Sequence, residues 1–233
     1  LILSDRVTPT NLTSDEEFIA ADLTDKSAVE NLLEDVDGVL HLGGQAMEAE
    51  WGVIHGATIV GCYNLFEAVR INGIRRVVFA SSNHAIGYYP RHARISVDHK
   101  VRPDSRYGVS KAFGEAVGSY YADNFGPGVM VIRIGNVEDY PVDERRLSIW
   151  ISPRDLVQLV RIGLEHPDLH YEIVWGASDN ARSWWDNEPA RRLGYRPLDR
   201  AEDHRDHALA NEAKRTPNPI ADYYQGGDIC AEE

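Results

Sequence analysis

Six short apolar runs punctuate the first three quarters of the chain: "LILS" (1–4), "EFIAADL" (17–23), "GVLHLGG" (38–44), "RRVVFAS" (75–81), "VMVIRIG" (129–135) and "YEIVWGA" (171–177). They are rich in β-branched residues, and helical patterns separate them. Short strands that are apolar on both faces need cover on both faces, which is the mark of a parallel sheet. Strand–helix–strand alternation joins such strands by right-handed crossovers, so the expected class is α/β with a doubly wound parallel sheet. Thr24 can N-cap a helix in which Ala28, Val29, Leu32 and Leu33 share a face. A second helix is expected over 51–72 with Ile54, Leu65, Ala68 and Val69 in the core, and a third over 105–124. A fourth starts at Pro153, where proline after Ser152 suits the first helical position.

The regular pattern holds to about residue 136, and beyond it the loops lengthen and Trp and Pro become frequent. The expectation is a core over 1–136 and a substrate-binding region with a tail over 137–233, interleaved with the core. The polar tail from about 200 is expected to wrap the surface. A net charge of −13 argues against nucleic-acid and anionic-membrane partners, which need basic patches. No apolar run approaches the roughly 18 residues that span a membrane. Cys62 and Cys230 are too few and too far apart for a disulfide framework or a zinc cluster, so no metal and a reducing cytoplasm are expected.

Ligands of open α/β sheets bind outside the carboxyl ends of the strands, so the polar residues there are the ones to weigh. Asp5 closes the first run; it suits the ribose hydroxyls of NAD as well as it suits a turn or helix cap. Asp22 is equally balanced between a cofactor contact and an ordinary turn. Gly43 and Gly44 would let backbone approach a ligand, although a plain turn is the commoner reason for such a pair. His41 reads as structural. Ser81, Ser82, Asn83 and His84 end a core strand with four polar side chains, each of which needs a partner if buried. Tyr107 and Lys111 lie at i and i+4 in "YGVSKAFGE" and share a helix face. An ammonium beside a phenol favours the phenolate, which makes Tyr107 a usable base. Ser82 and Asn83 can then hold a substrate hydroxyl or oxyanion beside it.

With "VLHLGG", "GCYNLFEAVR", "RRVVFASSNHAIGYYP", "RPDSRYGVSKAFGE", "VIRIGN", "IVWGAS" and "SWWDN", the chain resembles the sugar-modifying branch of the extended short-chain dehydrogenase/reductases, and within it the uronate dehydrogenases. The resemblance implies a Rossmann-like fold and NAD-dependent oxidation of C1 of glucuronate or galacturonate to an aldarolactone. It implies Tyr107 as base, with Lys111 lowering its pKa and holding the nicotinamide ribose. Ser82, Asn83, His84 and Asn136 would contact the sugar, and Arg145 would grip the uronate carboxylate with its guanidinium fork. On local sequence alone Arg145 is an ordinary surface arginine. The resemblance places Asp5, Asp22, Leu23, Leu42, Gly43, Gly44 and Ile134 along the NAD site, and it implies a homo-oligomer.

The chain departs from that pattern in three places: Ala46 and Asn136 stand where the family has serines, and Thr58 where it has asparagine. A first strand with a glycine-rich phosphate-binding turn is also missing ahead of Leu1. The expectation is that the parent protein carries it and that the chain alone binds NAD poorly. Two other readings use the same residues: a nucleotide-sugar epimerase or dehydratase, and a degenerate NAD-binding scaffold or sensor. For the dehydrogenase, Tyr107→Phe is expected to abolish NADH formation at 340 nm in the full-length protein while leaving NAD binding by calorimetry largely intact.

Overall fold

The computed structural model describes residues 1–232. In chain order its elements are β1 (Ile2–Asp5), β2 (Glu17–Ala20), α1 (Lys26–Leu32), β3 (Gly38–His41), α2 (Trp51–Val53), a π-helical segment (Ile54–Val60), α3 (Gly61–Ile71) and β4 (Arg76–Ser82). A 3₁₀ turn (Asn83–Ile86) follows, then α4 (Arg106–Phe125), β5 (Gly128–Ile134), β6 (Asn136–Val137), α5 (Arg146–Ile149), β7 (Trp150–Ile151), α6 (Pro153–Glu165) and β8 (Tyr171–Gly176). The last part carries α7 (Glu188–Arg192), α8 (Arg205–Glu212) and α9 (Pro219–Tyr223). Among the described residues no helix is long and apolar enough to cross a membrane.

The central sheet is parallel throughout, in the order β3-β4-β5-β8. β1 and β2 form a separate parallel pair, and β6 pairs with β7. Alternation along β4 and β5 sends side chains to two cores. Val77, Phe79, Val129 and Val131 meet Leu65, Phe66, Val117 and Tyr121 from α3 and α4 on one face. Val78, Met130 and Ile132 meet Leu159 of α6 on the other. Two helix glycines set how closely these layers approach. A Cβ at Gly114 would lie 2.2 Å from the Phe79 ring, and one at Gly163 would lie 2.5 Å from Val78.

Some boundaries differ from the sequence expectation. The strand expected over 17–23 stops at Ala20. Asp22 and Thr24 bond to each other, and Asp25 rather than Thr24 caps α1 by accepting from the Ala28 amide at 3.1 Å. The helix over 51–72 contains a full π segment, where the wider turn places Thr58 against Gly44. β8 and α6, both beyond residue 136, belong to the central sheet and its cover.

α4 is capped by Ser105, whose hydroxyl accepts from Gly108 at 2.9 Å, and it ends at Gly126 with a left-handed φ of 87°. It is tied to the sheet by a buried bidentate pair. Arg133 of β5 donates to both oxygens of Glu115 at 2.9 and 2.8 Å, and Ser81 of β4 donates to the same carboxylate at 2.6 Å. Removing one partner of a buried pair strands the other charge. Glu115→Ala is therefore expected to destabilise the fold by about 3–5 kcal/mol, measured by urea unfolding.

Candidate active site

β4 and β5 end beside the N-terminus of α4, and the gap there is a cavity of about 440 Å³. Its lining includes Leu42, Gln45, Ala46, Ser82, His84, Tyr107, Lys111, Ile134, Asn136 and Arg145. Eight of the residues expected to contact substrate or cofactor thus arrive at one place: Leu42, Ser82, His84, Tyr107, Lys111, Ile134, Asn136 and Arg145.

Tyr107 and Lys111 are both buried. The Lys111 Nζ donates to the Ala80 carbonyl at 2.8 Å and sits 5.5 Å from the centre of the Tyr107 ring. No carboxylate pairs with it among the described residues, and burial brings its pKa down to about 8. The Tyr107 phenol is shifted upward in this enclosure, with the Lys111 ammonium beside it. Burial raises the phenol above its ordinary value, Asp104 adds to the rise, and the Ser82 hydroxyl opposes it. The physical reason is that desolvation penalises any phenolate in this enclosed position.

Ser82 caps the 3₁₀ turn by accepting from the His84 amide at 3.2 Å, and its side chain reaches the cavity. Ser81 turns away to Glu115. Asn83 is almost wholly buried and lies behind the cavity wall, off its lining. With both ends of its amide satisfied, it donates to the Ile134 carbonyl at 3.3 Å and accepts from Arg145 at 3.1 Å. It therefore braces Arg145. The Nδ1 of His84 lies 2.8 Å from Asp104.

Arg145 donates to the Gln225 carbonyl at 2.9 Å and has no carboxylate in ion-pair range among the described residues. Burial and the neighbouring Arg146 and Arg91 charges bring its pKa down to about 10. Arg146, its sequence neighbour, is paired with Asp143. A guanidinium free of internal carboxylates at a cavity wall suits an anionic ligand. Asn136 contributes an amide oxygen that is buried without a partner among the described residues.

Five positions expected along the cofactor site lie off this cavity. Asp5 accepts from the amides of Arg6 and Val7 at the end of β1. Asp22 accepts from Thr24, which holds its carboxyl below the ordinary range. Leu23 packs into the core, and a Cβ on Gly43 would lie 2.8 Å from it. Gly44 has a φ of 121° and is pressed against Thr58, so a side chain there would be strained. Thr58 itself accepts from the Gln45 amide at 3.0 Å. The family's missing asparagine is thus replaced by a hydroxyl that anchors the loop after β3.

Two features escaped the sequence. Glu48 accepts from the Tyr107 amide at 2.9 Å and pairs with Arg106, a carboxylate at a helix N-terminus where the dipole favours it. The tail, expected to wrap the surface, instead brings Gly226, Asp228, Ile229 and Glu232 to the cavity. Gln225 anchors it, accepting from Trp185 and donating to the Pro90 and Ala93 carbonyls. Only "YYQGG" carried a signal for this.

The residues present fit an NAD nicotinamide ribose: a buried ammonium with only a carbonyl for a partner, beside a phenol and between the apolar Leu42 and Ile134. Residues 1–186 match the model of the NAD dependent epimerase/dehydratase family. The chain is 45% identical over 212 residues to the uronate dehydrogenase of Pseudomonas putida, covering 91% of this chain and 79% of that one. It superposes on the crystal structure of a glucuronic acid dehydrogenase from Chromohalobacter salexigens with a TM-score of 0.96 at 43% identity, covering 100% of this chain and 87% of that one. A uronate dehydrogenase mutant from Agrobacterium tumefaciens, in complex with NAD, matches with a TM-score of 0.94 at 39% identity, covering 100% and 88%.

The depressed Lys111 carries a stability consequence. Its charge is penalised in full below pH 8, and the penalty is relieved between about 8 and the ordinary 10.5, where the folded lysine is neutral and the unfolded one still protonated. Lys111→Met is expected to stabilise the fold by on the order of 1–3 kcal/mol at pH 7. The advantage should shrink as denaturation midpoints are followed from pH 8 to 10.5.

Proposed function

The chain belongs to the NAD dependent epimerase/dehydratase family, among the relatives of the uronate dehydrogenases, and from that premise we propose that it oxidises C1 of a free hexuronic acid, glucuronate or galacturonate, to the aldarolactone with NAD. The observation that carries this reading is Arg145. Among the described residues its guanidinium stands without a carboxylate partner, at the wall of the same cavity that holds Tyr107 and Lys111.

In this reading Arg145 grips the uronate carboxylate, and Asn83 and Gln225 hold the guanidinium at its angle. Ser82, His84 and Asn136 receive the ring hydroxyls, and Asn136 brings the amide oxygen that lacks a partner among the described residues. Lys111 places its ammonium on the nicotinamide ribose. Leu42 and Ile134 give the cofactor an apolar wall, while Asp5, Asp22, Leu23, Gly43 and Gly44 belong to the strand-end rim outside the cavity. Tyr107 takes the proton of the C1 hydroxyl, and a lactone carbonyl forms at C1. Bound NAD supplies the hydride acceptor. Tyr107 acts as the base in its phenolate form: its own proton leaves to solvent before the step, and the Lys111 ammonium beside it offsets the cost that enclosure places on the phenolate. Asn83 acts from behind, through Arg145 and Ile134. Cys62 and Cys230, both buried and free, accord with a reducing cytoplasm. The exposed rings of Tyr63 and Tyr120 on α3 and α4 accord with a homo-oligomer.

Full-length protein is expected to form NADH at 340 nm with glucuronate or galacturonate and to leave UDP-sugars untouched. Silence with both acids would sink the proposal. Arg145→Met should cut kcat/KM for the uronate by about 100-fold, and far less for a neutral hexose. An equal loss on both sugars would take the carboxylate role away from Arg145.

A further inference from the structure

Asp104 lies outside the cavity lining, directly behind His84. Its side chain is fully buried. Oδ2 meets Nδ1 of His84 at 2.8 Å, Oδ1 accepts from the Ser105 hydroxyl at 2.9 Å, and the Cys230 thiol approaches Oδ2 at 3.6 Å. The seat is cut to the carboxylate. A Cβ at Gly87 would lie 1.7 Å from Oδ2, and one at Gly226 would lie 1.9 Å from it. His84 is held as firmly. Its carbonyl accepts from the Asp104 amide at 3.3 Å, its amide donates to Ser82, and a Cβ on Gly108 would fall 2.2 Å from its carbonyl oxygen.

An ionised carboxylate only accepts hydrogen bonds, so the nitrogen facing it must carry a proton. In the neutral imidazole that leaves Nε2 as the acceptor. The ring of His84 lines the cavity, with its centroid 5.8 Å from that of Tyr107. We propose that Asp104 is a positioning residue: it holds His84 in the Nδ1–H tautomer, so that Nε2 accepts a hydrogen bond from a sugar hydroxyl beside Tyr107. The inference rests on the uronate reading for the sugar, but the tautomer stands on the geometry alone. The competing role is a brace, in which Asp104 only joins the chain ahead of α4 to the tail at Gly226 and Cys230.

Two measurements separate these roles. Ring ¹⁵N NMR of full-length protein reads the tautomer of neutral His84 directly. The expected result is a protonated Nδ1 and a bare Nε2, with the preference weakened or inverted in Asp104→Asn. A wild-type His84 protonated on Nε2 overturns the proposal whatever the kinetics. In steady-state assays Asp104→Asn should lower kcat/KM for the uronate by about 10- to 100-fold. Placed on His84→Ala, the same substitution should add almost nothing, because its effect passes through the imidazole. An equal loss in both backgrounds identifies a brace and overturns the positioning role. If the wild-type protein turns over no uronate, the proposed function fails on that assay, and the NMR result still decides the tautomer.

Discussion

The Glu115–Arg133 pair, with Ser81 as a third member, is the interaction on which the rest of the site depends. Each partner comes from a different element: Glu115 from α4, Arg133 from β5 and Ser81 from β4. These three elements carry the functional side chains. α4 brings Tyr107 and Lys111, β4 leads into Ser82, Asn83 and His84, and β5 leads into Ile134 and Asn136. A bidentate arginine–carboxylate pair fixes angle as well as distance. It sits two turns along α4 from Tyr107, so it sets the height at which the phenol meets the strand ends. The Arg133 guanidinium also lies over the Trp175 ring of β8, 5.3 Å from its centre, which extends the clamp across the sheet.

Around that clamp the polar groups sort into two kinds. One kind is satisfied from within: Ser81 by Glu115, Asn83 by Ile134 and Arg145, and Thr58 by Gln45. The other kind faces the cavity with capacity to spare: the Lys111 ammonium, the Arg145 guanidinium and the Asn136 amide oxygen. Burial, with no carboxylate paired to either among the described residues, lowers both cationic pKa values, to about 8 and, with the help of Arg146 and Arg91, about 10. Groups held in that condition cost stability and are found where a ligand completes them. The tail takes part in the same division, because Gln225 and Gly226 hold Arg145 and Asp104 while their neighbours line the opening.

Much of this was legible beforehand. Four of the six apolar runs became the central sheet because strands apolar on both faces are satisfied between two helix layers, while the first two pair with each other and stay largely exposed. Tyr107, Lys111, Ser82 and His84 were legible from their spacing and from their place after strands. Arg145 was legible only through resemblance, since "DERRLS" looks like solvated surface. The limits of the sequence show at Asn83, Asp104 and Glu48. Asn83 sits between Ser82 and His84 in the chain, and only the fold brings its amide to Ile134 and Arg145. Asp104 and Glu48 gain meaning only from partners 20 and 59 residues away.

By itself, then, the sequence determined what local chemistry can encode: the parallel-sheet class, the polar strand ends, the Tyr107–Lys111 helix face and the acidic surface. The tertiary structure decided which polar groups are spent internally and which are left for a ligand. It also decided how deeply Tyr107 is enclosed, since desolvation is a property of enclosure that no i, i+4 spacing contains. The fate of the tail was settled in the same way. A run of Gly and polar residues carries no periodic signal, and only the seats offered by Trp185, Asp104 and Arg145 bring it back to the site.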